Sequence, residues 1–196
     1  MFSFFKSKQS TSAAEARAAA QSAMAVRGHF NADRLPASRE ELGLPASGGG
    51  LFLGFVPPYA NFQSVADGLN RVTSAGTTTT FAALSSTGAL CSGGTSTYCG
   101  AESNDREGSF LWLSDEIVEQ CEIHSIDLRL GQGATVGERV SKIAQELKGV
   151  NPSFPINAHN TFALIFCDGL SASEGFLMRA WYESRRFPCL ALGGSA

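Results

Sequence analysis

The stretch FALIFCDGLSASEGFLMRAW (residues 162–181) joins an apolar strand to a helix through a short turn. The apolar run ends at Asp168, the chain turns at Gly169, and a helical pattern follows. Ser171 and Glu174 have the spacing of a capping box, so Ser171 is predicted to be the helix N-cap. A strand, turn and helix in this order are typical of three things: an active-site turn, a ligand loop and a simple connection.

The segments around this stretch predict a mixed α/β (α+β) fold with a predominantly mixed sheet and helices packed on its faces. Thr135 and Glu138 form a second predicted capping box. About six strands and four or five helices are expected. The predicted strands are residues 51–58, 77–86, 109–114, 121–130, 162–167 and 188–194, and the predicted helices are residues 11–28, 61–72, 114–120, 135–148 and the segment after residue 171.

The predicted boundary between two regions lies near residue 50. Residues 1–49 read as an alanine-rich N-terminal helix followed by a linker rich in glycine, proline and serine. Residues 50–196 carry the strand and helix patterns of a folded domain. Within that domain, residues 87–108 form a long polar loop, and loops of this length are often functional.

Composition excludes several classes of partner. The net charge is −3, so no basic face for nucleic acid is expected. No apolar run approaches the roughly 20 residues that span a bilayer, and the apolar start of the chain is too short for a signal peptide. The five cysteines contain no CxxC pair, which favours reduced thiols and a cytoplasmic location.

Two patterns suggest catalysis or nucleotide binding. GQGATVGERV (residues 131–140) has GxGxxxG spacing rather than the dinucleotide fingerprint, and Asp168 lies too far along the chain to be its acid. A hydrolase using Cys167 or Ser171, with Asp168 as the orienting carboxylate, is the alternative function, although GxSxG is absent. Ser171 as a helix cap and Cys167 as strand packing are the simpler interpretations.

His124 lies in a predicted strand and shares a face with Ile126 and Leu128. A histidine on an apolar face is typical of core packing. The other interpretation is an axial ligand in an apolar pocket of the kind that haem requires. Both interpretations stay open at this point.

The order of four segments resembles the N-terminal domain of FIST proteins, a family of intracellular sensory modules. The segments are LFLGFVPP, ALSSTGALCSG, SIDLRLGQG and the closing pair ALIFCDGLSASEGFLMRAW and FPCLALGGSA. The closing pair carries most of the resemblance, through an apolar strand that ends in Asp-Gly and a later Pro-x-x-x-x-Gly-Gly-Ser-Ala. The resemblance covers residues from about 50 to 196.

The resemblance implies a ligand-sensing domain of a bacterial signal-transduction system rather than an enzyme. Its implied partners are a histidine kinase, a cyclic-di-GMP enzyme or a chemotaxis protein. Its implied ligand is a small metabolite such as an amino acid, or haem whose iron binds nitric oxide. Haem is implied because the segment from residue 85 to 130 is similar to the haem-based nitric oxide sensors of this family. FIST chains usually continue into a C-terminal domain, so this chain is expected to be a fragment or a single-domain form.

The candidate pocket is assigned to three segments: the 87–108 loop, the turn Cys167–Glu174, and the glycine-rich segment Gly193–Ala196. His124 is the candidate haem ligand, and no catalytic or metal-binding residue is assigned. The candidate ligand-binding residues are Cys91, Tyr98, Arg106, Asp168, Gly169, Ser171, Gly193, Gly194 and Ser195.

Overall fold

The computed structural model describes residues 2–7, 24–87, 89–90, 98–99, 106–128 and 134–195. The described strands are β1 (Phe2–Ser7), β2 (Ala25–Asn31), β3 (Gly50–Val56), β4 (Thr79–Ser85), β5 (Ala89–Leu90), β6 (Tyr98–Cys99), β7 (Glu107–Ser114), β8 (Val118–His124), β9 (Thr161–Cys167) and β10 (Leu190–Ser195). The described α-helices are α1 (Phe62–Ser74), α2 (Val136–Gly149) and α3 (Glu174–Ser184). Glu40–Leu42 and Gly169–Ser171 are 3-10 turns.

The strands form two four-stranded mixed sheets, in the orders β10-β9-β1-β8 and β2-β7-β3-β4. In the first sheet β9 is parallel to β10 and antiparallel to β1. In the second sheet β3 is parallel to β4 and antiparallel to β7. Strands β5 and β6 form a separate antiparallel pair. The predicted mixed α/β class is therefore confirmed.

The chain divides into two compact units, residues 1–7 with 120–196, and residues 8–119. The predicted boundary at residue 50 stays a prediction. Each unit contains one helix that connects two parallel neighbouring strands: α3 lies between β9 and β10, and α1 lies between β3 and β4.

The core of the first unit is aromatic and aliphatic. Phe4 of β1 is fully buried, and its ring centroid lies 5.7 Å from that of Trp181 and 5.0 Å from that of Phe187. Helix α2 contributes Val140, Ile143 and Leu147 to the same core, whereas Val136, its first residue, is 53% exposed. Helices α2 and α3 also contact each other.

The core of the second unit is built around Phe52 of β3, which is fully buried. Its ring stacks on Phe81 at 5.7 Å and on Phe110 at 5.1 Å. Helix α1 adds Val65 and Leu69 to this cluster. Burial of this apolar surface is the main favourable contribution to folding.

Two helices begin where the sequence predicts. The Asn61 side chain accepts a hydrogen bond from the Ser64 backbone N–H at 3.0 Å and caps α1. Thr135 and Glu138 form the predicted reciprocal capping box of α2, in which the Thr135 N–H donates to Glu138 at 2.7 Å. Each cap satisfies backbone N–H groups that have no partner within the helix.

Three predicted elements are wrong in part. Residues 25–28, predicted as the end of a helix, belong to strand β2, and residues 11–23 lie outside the described part of the chain. Residues 114–120, predicted as a short helix, contain the turn between β7 and β8. The strand predicted over 121–130 begins earlier, at Val118, and ends at His124.

Arg39 is a buried cation in the second unit, with 5% of its surface exposed. Its guanidinium donates to backbone carbonyl oxygens of Pro45 at 2.8 Å, of Gly48 at 3.4 Å and of Thr73. The Cζ atom of the Arg39 guanidinium lies 6.0 Å from the centroid of the Trp112 ring. Arg39 therefore joins the segment before β3 to the last turn of α1, and burial lowers the pKa of this guanidinium.

None of the described helices is both long and apolar enough to cross a membrane.

Candidate ligand-binding site

The turn that follows β9 is fixed by hydrogen bonds to Asp168. The Asp168 carboxylate accepts from the Leu170 backbone N–H at 3.0 Å. The Asp168 carbonyl oxygen accepts from the Ser171 N–H at 3.0 Å and from the Ser171 hydroxyl at 2.7 Å. Ala172 then adopts a left-handed conformation, with φ of 47°, which is uncommon for a residue other than glycine.

The predicted capping box at this turn is wrong. Ser171 lies in the 3-10 turn, and the N-cap residue of α3 is Ser173, whose side chain makes no capping hydrogen bond. The Ser173 hydroxyl, which is buried, instead lies 2.9 Å from the Ser171 carbonyl oxygen and 3.3 Å from the Leu128 carbonyl oxygen. Ser173 therefore links the start of α3 to the segment that follows β8.

A cavity of about 380 Å³ lies beside this turn. It is next to the carboxyl end of β9, and in open α/β sheets ligands bind beyond the carboxyl ends of the parallel strands. Its volume falls within the range of roughly 300–1,000 Å³ that is typical of small-molecule sites. Its lining residues are two aspartates, two serines and three apolar residues: Asp127, Asp168, Ser125, Ser171, Ile126, Leu128 and Phe166.

A second cavity, of about 230 Å³, lies between β9, β10 and α3. Gly193 and Gly194 contribute to its lining, and Glu174 supplies a carboxylate. The other lining residues are Ile165, Cys167, Met178, Ala191 and Leu192, so most of this cavity is apolar.

The predicted site residues therefore fall in different places. Asp168 and Ser171 line the first cavity, and Gly193 and Gly194 line the second. Gly169 is exposed in the 3-10 turn, and Ser195 pairs in register with the last residue of β9. Their roles in binding stay predictions.

The predicted residues of the 87–108 loop are not brought to these cavities within the described chain. Arg106 belongs to the unit of residues 8–119, where it donates to the Tyr59 carbonyl oxygen at 3.2 Å and pairs with Asp33 at 3.3 Å. Cys91 lies outside the described residues. Tyr98 is described only through its backbone, which pairs with Leu90.

Sequence reasoning missed the residues that follow β8. Ser125, Ile126, Asp127 and Leu128 line the first cavity, but the sequence assigns them to a continuous strand. The sequence feature that could have indicated the end of the strand is the appearance of Ser125 and Asp127, since serine and aspartate favour turns over strands.

His124 lies at the end of β8 and is not among the described residues that line either cavity. Its Nε2 atom is buried, lies 3.4 Å from the Glu122 carboxylate and makes no hydrogen bond. Its ring contacts the ring of Phe4 edge-on, with centroids 6.1 Å apart. In this geometry Nε2 faces a carboxylate rather than an open apolar pocket, so His124 as placed does not fit a haem ligand.

Cys167 and Ser171 lack the surroundings of an activated nucleophile. Burial raises the pKa of the Cys167 thiol, so the reactive thiolate is disfavoured at neutral pH. The Ser171 hydroxyl donates to a backbone carbonyl oxygen, which cannot act as a general base. These contacts favour packing and turn roles for both residues.

Glu122 provides a pH-dependent contribution to stability. Hydrogen bonds from the Ser153 hydroxyl and backbone N–H, together with the nearby His124, lower the pKa of Glu122. Because the folded pKa is the lower one, this stabilisation is present above the unfolded pKa of about 4.3 and is lost as the pH falls through the folded value.

Replacing Glu122 by glutamine is therefore expected to lower the free energy of unfolding by about 1 kcal/mol at pH 7. The difference from wild type should be smaller at an acidic pH below the folded pKa of Glu122, because the wild-type carboxylate is then also protonated. Urea titrations at pH 7 and at that acidic pH measure this. Glu146→Gln, on the exposed side of α2, is the control, and an equal loss for Glu122→Gln at both pH values would contradict the prediction.

Comparison with known proteins identifies one related family. The family model of the FIST N domain matches residues 50–196, about three quarters of the chain. No curated protein and no solved structure matches the chain significantly.

Proposed function

Because this chain belongs to the FIST family of signal-transduction sensory domains, we propose that it senses a small ligand in the cavity beyond β9. The observation that carries the proposal is the position of that cavity at the Asp168–Ser171 turn. The turn joins β9 directly to α3, so an occupant of the cavity contacts the connection between a central strand and a helix.

The lining of the cavity suggests the chemistry of the ligand. Asp127 and Asp168 offer carboxylate oxygens, and Ser125 and Ser171 offer hydroxyls. Phe166 supplies an aromatic surface. A small polar metabolite that donates hydrogen bonds and carries a short apolar portion suits this combination.

Ser173 supplies the route by which binding reaches α3. Its hydroxyl lies within hydrogen-bond distance of the carbonyl oxygens of Leu128 and Ser171, which belong to the two segments of chain that line the cavity. A ligand that changes the distance between these two segments changes this contact at the start of α3. Binding would then shift the population between two positions of the turn and of the helix.

The test is a ligand screen by thermal shift, using a panel of small polar metabolites. We expect at least one compound to raise the melting temperature of the wild type, and Asp168→Asn to weaken its affinity by about tenfold, or 1.4 kcal/mol. Asparagine keeps an oxygen that can accept from Leu170 and replaces the other carboxylate oxygen by an uncharged NH₂ group. Asp67→Asn, on the exposed face of α1, is the matched control.

Two results would contradict this placement of the site. One is a ligand whose affinity is unchanged in Asp168→Asn. The other is a ligand whose affinity falls equally in Asp67→Asn, since that residue lies in the other compact unit.

The finer parts of the function remain proposals that follow from the family. The partner would be a histidine kinase, a cyclic-di-GMP enzyme or a chemotaxis protein. The free thiols of Cys167 and Cys189 support a reducing compartment such as the cytoplasm. Haem has weaker support as the ligand, because the His124 ring would have to move away from the Glu122 carboxylate to bind iron. A Soret band that appears when haemin is added and is lost in His124→Ala would support haem binding.

A further inference from the structure

Strand β10 is the outer strand of the sheet β10-β9-β1-β8. Among the residues that the structure describes, no strand pairs with its second edge. Leu190 and Leu192 are 60% and 50% exposed on this strand, on the same face of the sheet. Strand β10 therefore presents an apolar edge whose outward backbone groups are not used by the described strands.

The sequence of β10 does not protect this edge. Soluble proteins shield edge strands with charged residues, proline or a bulge, because an unprotected edge pairs with other strands. LALGGS (residues 190–195) contains no charged residue and no proline, and it pairs with β9 without a bulge over all six positions. These features are typical of a strand that pairs with another chain.

We propose that β10 pairs antiparallel with β10 of a second copy of this chain, about a two-fold axis at Leu192. In that register Leu190 of each copy lies opposite Gly194 of the other, and Ala191 lies opposite Gly193. A Cβ added at Gly194 would meet no atom within 4 Å, so no side chain of this copy stands opposite the leucine of the other copy there. The two Leu192 side chains meet at the axis.

The self-complementarity of the strand favours a second copy over a different protein. Its large residues lie in the first half and its glycines in the second, and antiparallel pairing about a two-fold axis brings each half against the other. The absence of charge on the strand means that two identical copies meet without repulsion. Such an interface is isologous, because the same patch is used on both copies.

The experiment measures the dimer dissociation constant of the full chain by sedimentation equilibrium over a wide range of concentration. Leu192→Lys brings two ammonium groups together at the axis and is expected to raise the constant at least tenfold. Tyr182→Lys is the control, since this residue is 69% exposed on α3 and lies outside the proposed interface. Matching melting temperatures of the two variants would show that both are folded.

A crosslinking variant tests the register. Leu192→Cys places two thiols at the axis, so mild oxidation should give a covalent dimer that neither the wild type nor Tyr182→Cys forms. A wild type that is monomeric at every concentration overturns the proposal. A dimer that tolerates Leu192→Lys overturns the use of β10, and a dimer that Leu192→Cys fails to crosslink overturns the two-fold register.

Discussion

Replacing Gly50 by alanine is expected to lower the free energy of unfolding of the unit of residues 8–119 by about 4 kcal/mol. Gly50 has a φ of +125°, which side chains other than glycine rarely adopt. A Cβ at this position would overlap the Leu113 carbonyl oxygen and lie 2.9 Å from the Ser114 Cα. These atoms belong to β7, which is paired to β3 at this residue, so they cannot move without breaking the sheet.

The measurement is a urea titration followed by tryptophan fluorescence. The chain has two tryptophans, and Trp112 is the one in this unit, so Trp181→Phe isolates its signal. The matched control is Gly76→Ala: Gly76 also has a positive φ, +65°, but no atom lies within 4 Å of its added Cβ. We expect this control to lose about 1 kcal/mol from strain alone. Equal losses at the two positions would show that the contact with β7 contributes nothing.

Replacing Arg39 by methionine is expected to cost about 3 kcal/mol in the same unit. Methionine keeps much of the apolar contact but removes the donors that serve the carbonyl oxygens of Pro45, Gly48 and Thr73. Buried acceptors that lose their donors cost more than the lost hydrogen bonds themselves contributed. Arg39→Lys should recover less than half of the loss, because one ammonium group cannot reproduce the planar arrangement of donors.

Urea titration of Trp112 fluorescence also measures this effect. Arg71→Met, on the exposed side of α1, is the control and should change stability by less than about 0.5 kcal/mol. If Arg39→Met is as stable as the control, the carbonyl contacts of Arg39 make no net contribution.

Local patterns explain what could be predicted of the fold. Strand β3 is a continuous apolar run that ends at two prolines, and α1 and α2 combine an apolar stripe with a capping residue. Each signal lies within about a dozen neighbouring residues. The fold class follows from the order of such segments, without knowledge of which strands pair.

Strands β1 and β2 could not be predicted in this way, because their signals come from distant partners. Phe4 and Phe5 become core residues only through pairing of β1 with residues 161–165. In β2, Gly28 lies against the ring of Phe110, since an added Cβ would come within 2.8 Å of it. This contact with Phe110 fits Gly28 to a position in β2. In the sequence, Gly28 only follows an alanine-rich segment with a helical pattern.

The candidate site shows the same limit: local patterns predict the turn at Asp168 but not the distant segment that also lines the cavity. The strand, turn and helix around Asp168 are contiguous, so the pattern identified Asp168 and Ser171 correctly as residues of one turn. The other lining segment is residues 125–128, some 40 positions earlier in the sequence, and no local sequence pattern links it to the turn. The shift of the cap from Ser171 to Ser173 arises because the 3-10 turn takes up the first of the two serines.

The position of β1 bears on the order in which this protein folds during its synthesis. Strand β1 is synthesised before residues 8–119, whereas its neighbour β9 is synthesised after them. Residues 8–119 can complete their own sheet while β1 still lacks its partner. The apolar residues Phe4 and Phe5 therefore lack this partner until residues 161–165 have been synthesised, and the first sheet can close only after that point.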